Sequence, residues 1–598
     1  MIQIQQPIIK APRLGNQFIE DQSLQHFLKF FLGNSQHVKI IDDLTNFGDK
    51  VSTDYVPHMK EAEINTPKLI QYSPFNERID QLVLSEGWRF FKKQTAIEGL
   101  IAIPYENESQ EFSRLHFAAK IYLFHPSSAL FSCPIAMTDG CAYLVKNLLA
   151  EPQIKNSPET SKHLLEVYRR LTTRNPDEFW TSGQWMTERL GGSDVASGTQ
   201  TVAVPVDSSK RLYALHGYKF FTSSTDSEVA MALARIVDQN DQKSWSKAPI
   251  SLFLVFTKLD GKNNNIEIVR LKEKLGTRQL PTAELKLNGT LAYLVSEEGK
   301  GIKTITQLVN ITRIHNAIAA VSSMRRIVNL AKDYATTREV FGKPLIDQPL
   351  QANVLNSLEL STQGNLLMIL EAARLQGLIE NKKASADEQT LLRVIIPLLK
   401  LFTGKEGVRV VSEGLECFGG QGYMEDSFIP QLLRDVQVTP IWEGTTNVQA
   451  LDFLRAIEKE RSGFKVLMAA INLPVQESDL CKETVAKQLS QIQTNLALIV
   501  KFLAENVSKA NVIVWNARKI ARNTSLAFIA SLCHKLVNTM HFQPNDVALR
   551  EFWLNRCLFE WESLQVLPDN KLQEIKDRLI SADFGKETDK RGLFRPKL

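Results

Sequence analysis

Apolar residues recur at helical spacing over most of this chain and at strand spacing over one central stretch. From about 15 to 180, segments such as 77–92 and 111–124 carry the helical period, and the region reads as helices and loops. From about 181 to 296 the period falls to two. Runs at 201–204, 212–215, 229–236, 251–256, 266–270 and 283–287 alternate or stay apolar, with Asp-Gly, Asn-Gly and His-Gly between them. That spacing predicts a small antiparallel barrel or sandwich. From about 301 the helical period returns. Residues 302–341 contain neither glycine nor proline, and Ile311, Ile314, Ile318, Val321, Ile327 and Ala331 form a one-sided stripe that ends at Gly342-Lys343-Pro344. Further helices over 355–378 and 391–417, with another after Glu443, complete a predicted four-helix bundle. Beyond 456 the chain is helical again, with Trp515, Trp553 and Trp561 available for a core of its own. The predicted organisation is mostly α with a central β domain: a helical domain over 1–180, a β-barrel over 181–300, the bundle over 301–455 and an additional helical domain over 456–598.

Composition narrows the function classes. A chain of 598 residues exceeds one ordinary core, and 43% hydrophobic with 23% charged residues describes a globular protein. No apolar run approaches the roughly 18 residues that a membrane span needs. A net charge of +5 does not by itself call for nucleic acid or lipid. The six cysteines (Cys133, Cys141, Cys417, Cys481, Cys533, Cys557) lack C-x-x-C spacing, which argues against a disulfide framework and a metal site and fits a reducing compartment. The N-terminus lacks the charged start and apolar core of a signal peptide, and Arg595-Pro596-Lys597-Leu598 matches a peroxisomal S-K-L ending only loosely. The expected location is cytoplasmic, with mitochondrion and peroxisome left open.

The candidate chemistry centres on residues 437–455. Glu443 and Gly444 form a short turn before a helix that Thr445, Thr446 or Asn447 can cap. A carboxylate beside the Trp442 indole is partly desolvated, which raises its pKa toward that of a general base; the helix N-terminus opposes the shift. Four further motifs bear on it. Met186-Thr187-Glu188-Arg189-Leu190-Gly191-Gly192-Ser193-Asp194 offers hydroxyls and glycine amides that a ligand can approach. Gly217–Ser223 sets Phe220 and Phe221 beside hydroxyls, able to flank a flat ring. Arg338–Pro344 ends the long helix with an arginine suited to a diphosphate. Phe418-Gly419-Gly420-Gln421-Gly422-Tyr423 exposes glycine amides to phosphate, although no βαβ unit surrounds it. Each motif alone is equally a turn, a strand or a cap.

In this order, around a helix–strand–helix layout, the motifs together resemble the acyl-CoA dehydrogenase superfamily. The T-E-x-x-x-G-S-D loop corresponds to Thr187–Asp194 and the G-x-K-x-x-x-[ST] strand to Gly217–Ser223. R-x-x-F-G corresponds to Arg338–Gly342, F-G-G-x-G-[FY] to Phe418–Tyr423, and the aromatic-E-G-T turn to Trp442–Thr445. Arg78-Ile79-Asp80, Cys133-Pro134 with Met137-Thr138, and the C-terminal extension resemble the AidB branch. The resemblance implies FAD at the junction of strand domain and bundle, with Met186, Thr187, Phe221, Thr222 and Ser223 around the isoalloxazine and Thr445, Thr446 and Asn447 following the base. Arg338, Phe341, Gly419 and Gly420 would reach the FAD of a neighbouring subunit in a homodimer or homotetramer. Ser193, Thr312, Arg313 and Gly444 would border the acyl-CoA. One departure is Pro349, where many members carry glutamine.

The implied reaction is α,β-desaturation of an acyl-CoA to the trans-2-enoyl-CoA, with Glu443 taking the α-proton, the hydride passing to flavin N5, and an acceptor such as an electron-transfer flavoprotein reoxidising the flavin. Residues 308–320 contain no acid, so the alternative position of the base on the long helix is empty. A second reading makes the chain an AidB-like flavoprotein of weak activity, acting mainly by binding DNA or long-chain acyl-CoA. It rests on Lys509, Arg518, Lys519, Arg522 and the basic tail Lys586, Lys590, Arg591, Arg595 and Lys597. Glu505, Asp583, Glu587 and Asp589 dilute that patch, and nucleic acid is the less favoured partner.

Overall fold

The computed structural model describes residues 9–33, 37–238, 240, 242–459, 463–471, 482–539, 542–566 and 571–581. Cys481 and the whole basic tail with its acids Asp583, Glu587 and Asp589 lie outside the described residues, as does the 595–598 ending. Helices α1 (Gln22–Leu32), α2 (His37–Lys50) and α3 (Tyr55–Ile64) open the chain. The segment 77–92, whose spacing suggests one helix, instead contains a strand and a helix. Strands β1 (Lys68–Tyr72) and β2 (Arg78–Val83) pair as a hairpin before α4 (Glu86–Ile97). The cause is tertiary: Asp80 accepts from the Ile268 N–H and Arg78 donates to the Ile268 carbonyl, each at 2.9 Å, which pins the hairpin to the central sheet. Ser85 then caps α4 by accepting from the Trp88 N–H. Helices α5 (Ser113–Phe124), α6 (Ser132–Leu148) and α7 (Pro158–Leu171) follow, the first buried on almost every side.

The central sheet comprises β3 (Ser182–Trp185), β4 (Val202–Asp207), β5 (Leu212–Ser223), β6 (Val229–Ile236), β7 (Ile250–Phe256), β8 (Ile266–Leu271) and β9 (Thr282–Leu294). Its order is β8-β9-β5-β4-β6-β3, and β7 bridges β9 and β6, curling the sheet toward a barrel. Most pairs are antiparallel, but β3 and β4 both run parallel to β6. They pair with successive stretches of it, so the connection 186–201 leaves the sheet as a loop between them. That geometry is what presents the Thr187–Asp194 motif.

The bundle consists of α8 (Gly301–Thr337), α9 (Pro349–Glu380), α10 (Ala386–Glu416) and, after α11 (Ile429–Val436), α12 (Thr446–Lys459). A capping box of Ser385 with Glu388 starts α10. Helices α13 (Gly463–Ile471), α14 (Lys482–Glu505), α15 (Ala510–Val537), α16 (Pro544–Phe559) and α17 (Lys571–Ser581) form the C-terminal region. The tryptophans there do not form a core of their own. Trp515 is 39% exposed, while Trp553 is buried against the bundle, its indole N–H donating to the Leu360 carbonyl at 3.0 Å beside Gly364, where a Cβ would meet the ring at 2.1 Å.

Candidate active site

Glu443 and Gly444 both hold left-handed backbone, with φ of +55° and +95°. For a glutamate this conformation is strained and persists only where surroundings enforce it. Three contacts do so. The Gln449 amide donates to the Glu443 carbonyl at 2.7 Å, the Lys400 ammonium to the Gly444 carbonyl at 2.5 Å, and the Trp442 indole N–H to Asn316. A Cβ on Gly444 would approach the Gln449 amide nitrogen to 2.6 Å, so the turn needs glycine there. The double left-handed step sends the carboxylate toward α8, where the Thr312 hydroxyl lies 2.6 Å from Glu443 Oε2. The backbone N–H of Glu443 donates to nothing among the described residues.

Burial raises the pKa of the Glu443 carboxyl above the usual range; the Thr312 hydrogen bond and the charges of Arg313 and Lys400 oppose the shift without cancelling it. Lys400 is wholly buried on α10, and burial lowers its pKa to about 7 despite the nearby carboxylate. Arg313 is tied to Asp452 on α12 at 2.6 Å, and Arg393 reaches the other oxygen of that acid at 2.8 Å. Thus α8, α10 and α12 are bound together around the turn by charged side chains. Cys133, at the start of α6, is close enough for the Glu443 charge to act on its thiol, which burial raises to about 12. Sequence reasoning gave that segment no chemistry. It also missed Lys400, Gln449 and Gln184, the last of which lies near enough to oppose the rise in the Glu443 pKa and donates to the Met186 sulfur at 3.0 Å. An interior lysine in the otherwise apolar run 394–402 was the available signal for the first.

The strand-region motifs meet on one side of this turn. Buried Lys219 of β5 donates to Glu188 at 2.6 Å and to the Leu233 carbonyl at 2.7 Å. Glu188 also accepts from the N–H groups of Gln200 and Thr201. The lysine and glutamate of two separate motifs are therefore one buried pair that fixes the 187–201 loop. The Phe220 N–H donates to the Thr187 carbonyl at 2.9 Å, which brings Met186 and Thr187 beside Phe220 and Phe221. Phe221 is 52% exposed, so its ring is free to face a ligand. Thr222 is buried with its hydroxyl on the Ala283 carbonyl, and Ser223 lies 3.0 Å from Thr282 Oγ1. Ser193 is exposed on the loop.

Arg338, Phe341, Gly419 and Gly420 form a separate, outward-facing group. Phe341 is 98% exposed at φ +51°, and no atom lies within 4 Å of a Cβ built on Gly419 or Gly420. Tyr334 and Phe418, 5.1 Å apart, join the helix end to the glycine loop. Where Pro349 begins α9, the preceding Gln348 donates to the Val340 carbonyl at 3.2 Å. Thr445 and Asn447 are exposed and Thr446 is buried at the start of α12. Among the described residues no group of His, Cys, Asp and Glu is placed to hold a metal, and no helix is long and apolar enough to cross a membrane. On α15, Arg522 is paired with Glu560, and Lys519 donates to the Ser563 carbonyl at 3.0 Å.

Three family models match: acyl-CoA dehydrogenase, C-terminal domain, over 299–458; acyl-CoA dehydrogenase, middle domain, over 183–290; and adaptive response protein AidB N-terminal domain over 10–161. The chain is 44% identical to acyl-CoA dehydrogenase family member 11 of Caenorhabditis elegans over 493 residues, covering 81% of this chain and 78% of the relative. It is 30% identical to AidB of Escherichia coli (strain K12) over 457 residues, covering 75% and 80%. The solved C. elegans ACDH-11, in complex with C11-CoA, superposes with a TM-score of 0.88 at 37% identity, covering 98% of both chains. The chain belongs to the acyl-CoA dehydrogenase family, within the branch that includes AidB.

Proposed function

We propose that this chain desaturates acyl-CoA thioesters to trans-2-enoyl-CoA, with FAD as cofactor and Glu443 as base. The observation that carries the reading is the Glu443 carboxylate itself, raised in pKa by burial and held 2.6 Å from Thr312 on a turn whose N–H has no acceptor among the described residues. The thioester ligand is supported by the C11-CoA complex of the C. elegans relative.

The residues present fit FAD. Open space above Gly419 and Gly420, the exposed rings of Phe221 and Phe341, and the unshielded Arg338 supply amide, apolar and cationic contacts of the kind a dinucleotide needs. Met186, Thr187, Phe221 and Ser223 would surround the isoalloxazine, with Thr222 contributing backbone, since its hydroxyl is committed. Thr445, Thr446 and Asn447 would hold the chain that follows. Arg338, Phe341, Gly419 and Gly420 would serve the FAD of a second copy, making a dimer or a dimer of dimers the working form. Bound there, FAD would supply the acceptor for the β-hydride.

The remaining work falls to the chain. Ser193, Thr312, Arg313 and Gly444 border the acyl-CoA. The Glu443 N–H donates to the thioester oxygen, where charge builds as the α-proton leaves. Glu443 takes that proton; the electron pair of the α-C–H bond becomes the double bond as the β-hydride departs. Reoxidation by an electron-transfer flavoprotein would complete the cycle.

Anaerobic titration of the FAD-loaded protein with acyl-CoAs of increasing length tests this reading. Flavin absorbance should bleach, and Glu443→Gln should slow bleaching by roughly 10²–10⁴-fold, the usual weight of a positioned base. Equal rates in the two proteins would refute the assignment. A protein acting mainly by binding DNA would bleach little in either form.

A further inference from the structure

A cavity of about 480 Å³ lies among the 10–14 segment, α3, the 125–130 turn, the far half of α8 and the 418–435 segment. Its volume falls within the roughly 300–1,000 Å³ of small-molecule sites. None of its lining residues lies at the Glu443 turn, while Tyr334, Phe418 and Gln421 adjoin the outward-facing glycine loop. Its nearest point on α8, Ser323, is eleven residues beyond Thr312, about 16 Å along the helix axis.

The feature that singles it out is Arg326. This side chain lines the cavity, is only 5% exposed, and donates from Nη2 to the Ser127 hydroxyl at 2.7 Å. Its Nε has no acceptor. Burial lowers its pKa to about 10, and no carboxylate counters that shift. The adjacent Arg325 shows the usual arrangement, pairing with Asp21 at 3.0 Å and Glu359 at 2.7 Å. A buried guanidinium that no carboxylate pairs with is costly unless an anion reaches it.

The surroundings define the occupant. His125 carries no charge at neutral pH, since burial and the neighbouring Arg326 lower its pKa to about 4. Lys10 and Lys60 add positive charge to the lining. Two carboxylates also line the cavity. Asp435 is occupied by the Thr277 N–H at 2.6 Å and by Gln431, and Asp426 is exposed. Leu14, Val56, Met59, Leu330 and Phe428 make much of the wall apolar. We infer that this cavity binds an amphiphilic monocarboxylate, its carboxylate on the Arg326 fork and its hydrocarbon tail along the apolar wall. A planar fork suits a carboxylate, and apolar walls disfavour a fully hydrated phosphate or a nucleotide.

The test uses the full-length protein and decanoate, with 1-decanol and inorganic phosphate as comparison ligands, followed by titration calorimetry. Decanoate should bind at one site per chain at least tenfold more tightly than decanol, and phosphate should not compete. Arg326→Gln should bring decanoate on the order of tenfold to a hundredfold down, toward decanol, the loss expected for a charge-assisted hydrogen bond. Val56→Trp, at a half-buried wall position, should weaken both ligands by filling the cavity while leaving Arg326 in place. It decides the matter should Arg326→Gln fail to fold. Equal affinity for acid and alcohol, or decanoate binding that neither variant alters, would overturn the inference; the second result would put the fatty acid in the Glu443 pocket instead.

Discussion

Replacing Lys400 with methionine removes a wholly buried amine beneath the Glu443 turn while keeping the length of the side chain. Two effects oppose one another. The Gly444 carbonyl loses its donor at 2.5 Å, a loss of about 1–3 kcal/mol when the acceptor stays buried. Against it stands the burden of the lysine itself, whose pKa is lowered by burial from 10.5 to about 7. Between those two pH values the unfolded chain binds a proton that the folded chain has released, so stability rises with pH. Across the whole interval the gain is on the order of 5 kcal/mol, of which about 2 kcal/mol falls between pH 7 and pH 9. Urea midpoints of both proteins at the two pH values report this contribution. The wild type should gain about 2 kcal/mol more than the variant over that step. The same substitution withdraws a positive charge that favours ionised Glu443, so the acid limb of the flavin-reduction profile should move to higher pH. Parallel urea curves together with an unmoved acid limb would refute the view that Lys400 is a buried, titrating partner of Glu443.

Arg338→Ala should release FAD during dialysis, since a charged hydrogen bond is worth about 1.5–3 kcal/mol; one FAD per chain after extensive dialysis would count against that contact. Burial alone would raise the pKa of the Glu406 carboxyl, but the Arg556 fork, with both bonds at 2.7 Å, brings it to about 2. Its contribution, on the order of 3 kcal/mol, is present above the ordinary value of 4.5 and is lost as pH falls toward 2. Acid titration followed by tryptophan fluorescence should show that loss in the wild type. Glu406→Gln should be destabilised at neutral pH and flatter below 4.5.

The parts of the fold legible in the sequence are those set by local periodicity. The 229–236 run is β6 in full, and the long uninterrupted stripe after 301 is α8. What misled was tertiary. The 77–92 pattern suits a helix, yet Arg78 and Asp80 find their partners on the Ile268 backbone, nearly 190 residues away, and the hairpin follows. The acid at 443 stands out because of the turn it sits on. The lysine that supports it stands out much less: Lys400 lies in a helix whose neighbours are apolar, and only three-dimensional packing shows that its ammonium meets the Gly444 carbonyl. Motif residues likewise split in role. Lys219, read within a strand motif, and Glu188, read within a loop motif, bind one another and hold the loop that Met186 and Thr187 begin.

The C-terminal helices bear on the same turn from behind. Helix α15 packs against α12, the helix that starts two residues after Gly444, and also against α9 and α10. Trp553 fills the notch at Gly364, and Arg556 grips Glu406 on α10, one turn and a half beyond Lys400. Displacing α15 or α16 would therefore loosen both helices that fix the Glu443 carboxylate, α12 through its N-terminus and α10 through Lys400. A nucleic-acid surface makes different demands: its cations must be free to meet phosphates. On and beside α15, Arg522 is paired with Glu560 and Lys519 with the Ser563 carbonyl, while Lys509 and Arg518 are exposed. The side chains that join this region to the rest of the molecule, Trp553 and Arg556, face the bundle, where they support the Glu443 turn. That placement gives the described helices a structural part in the dehydrogenase.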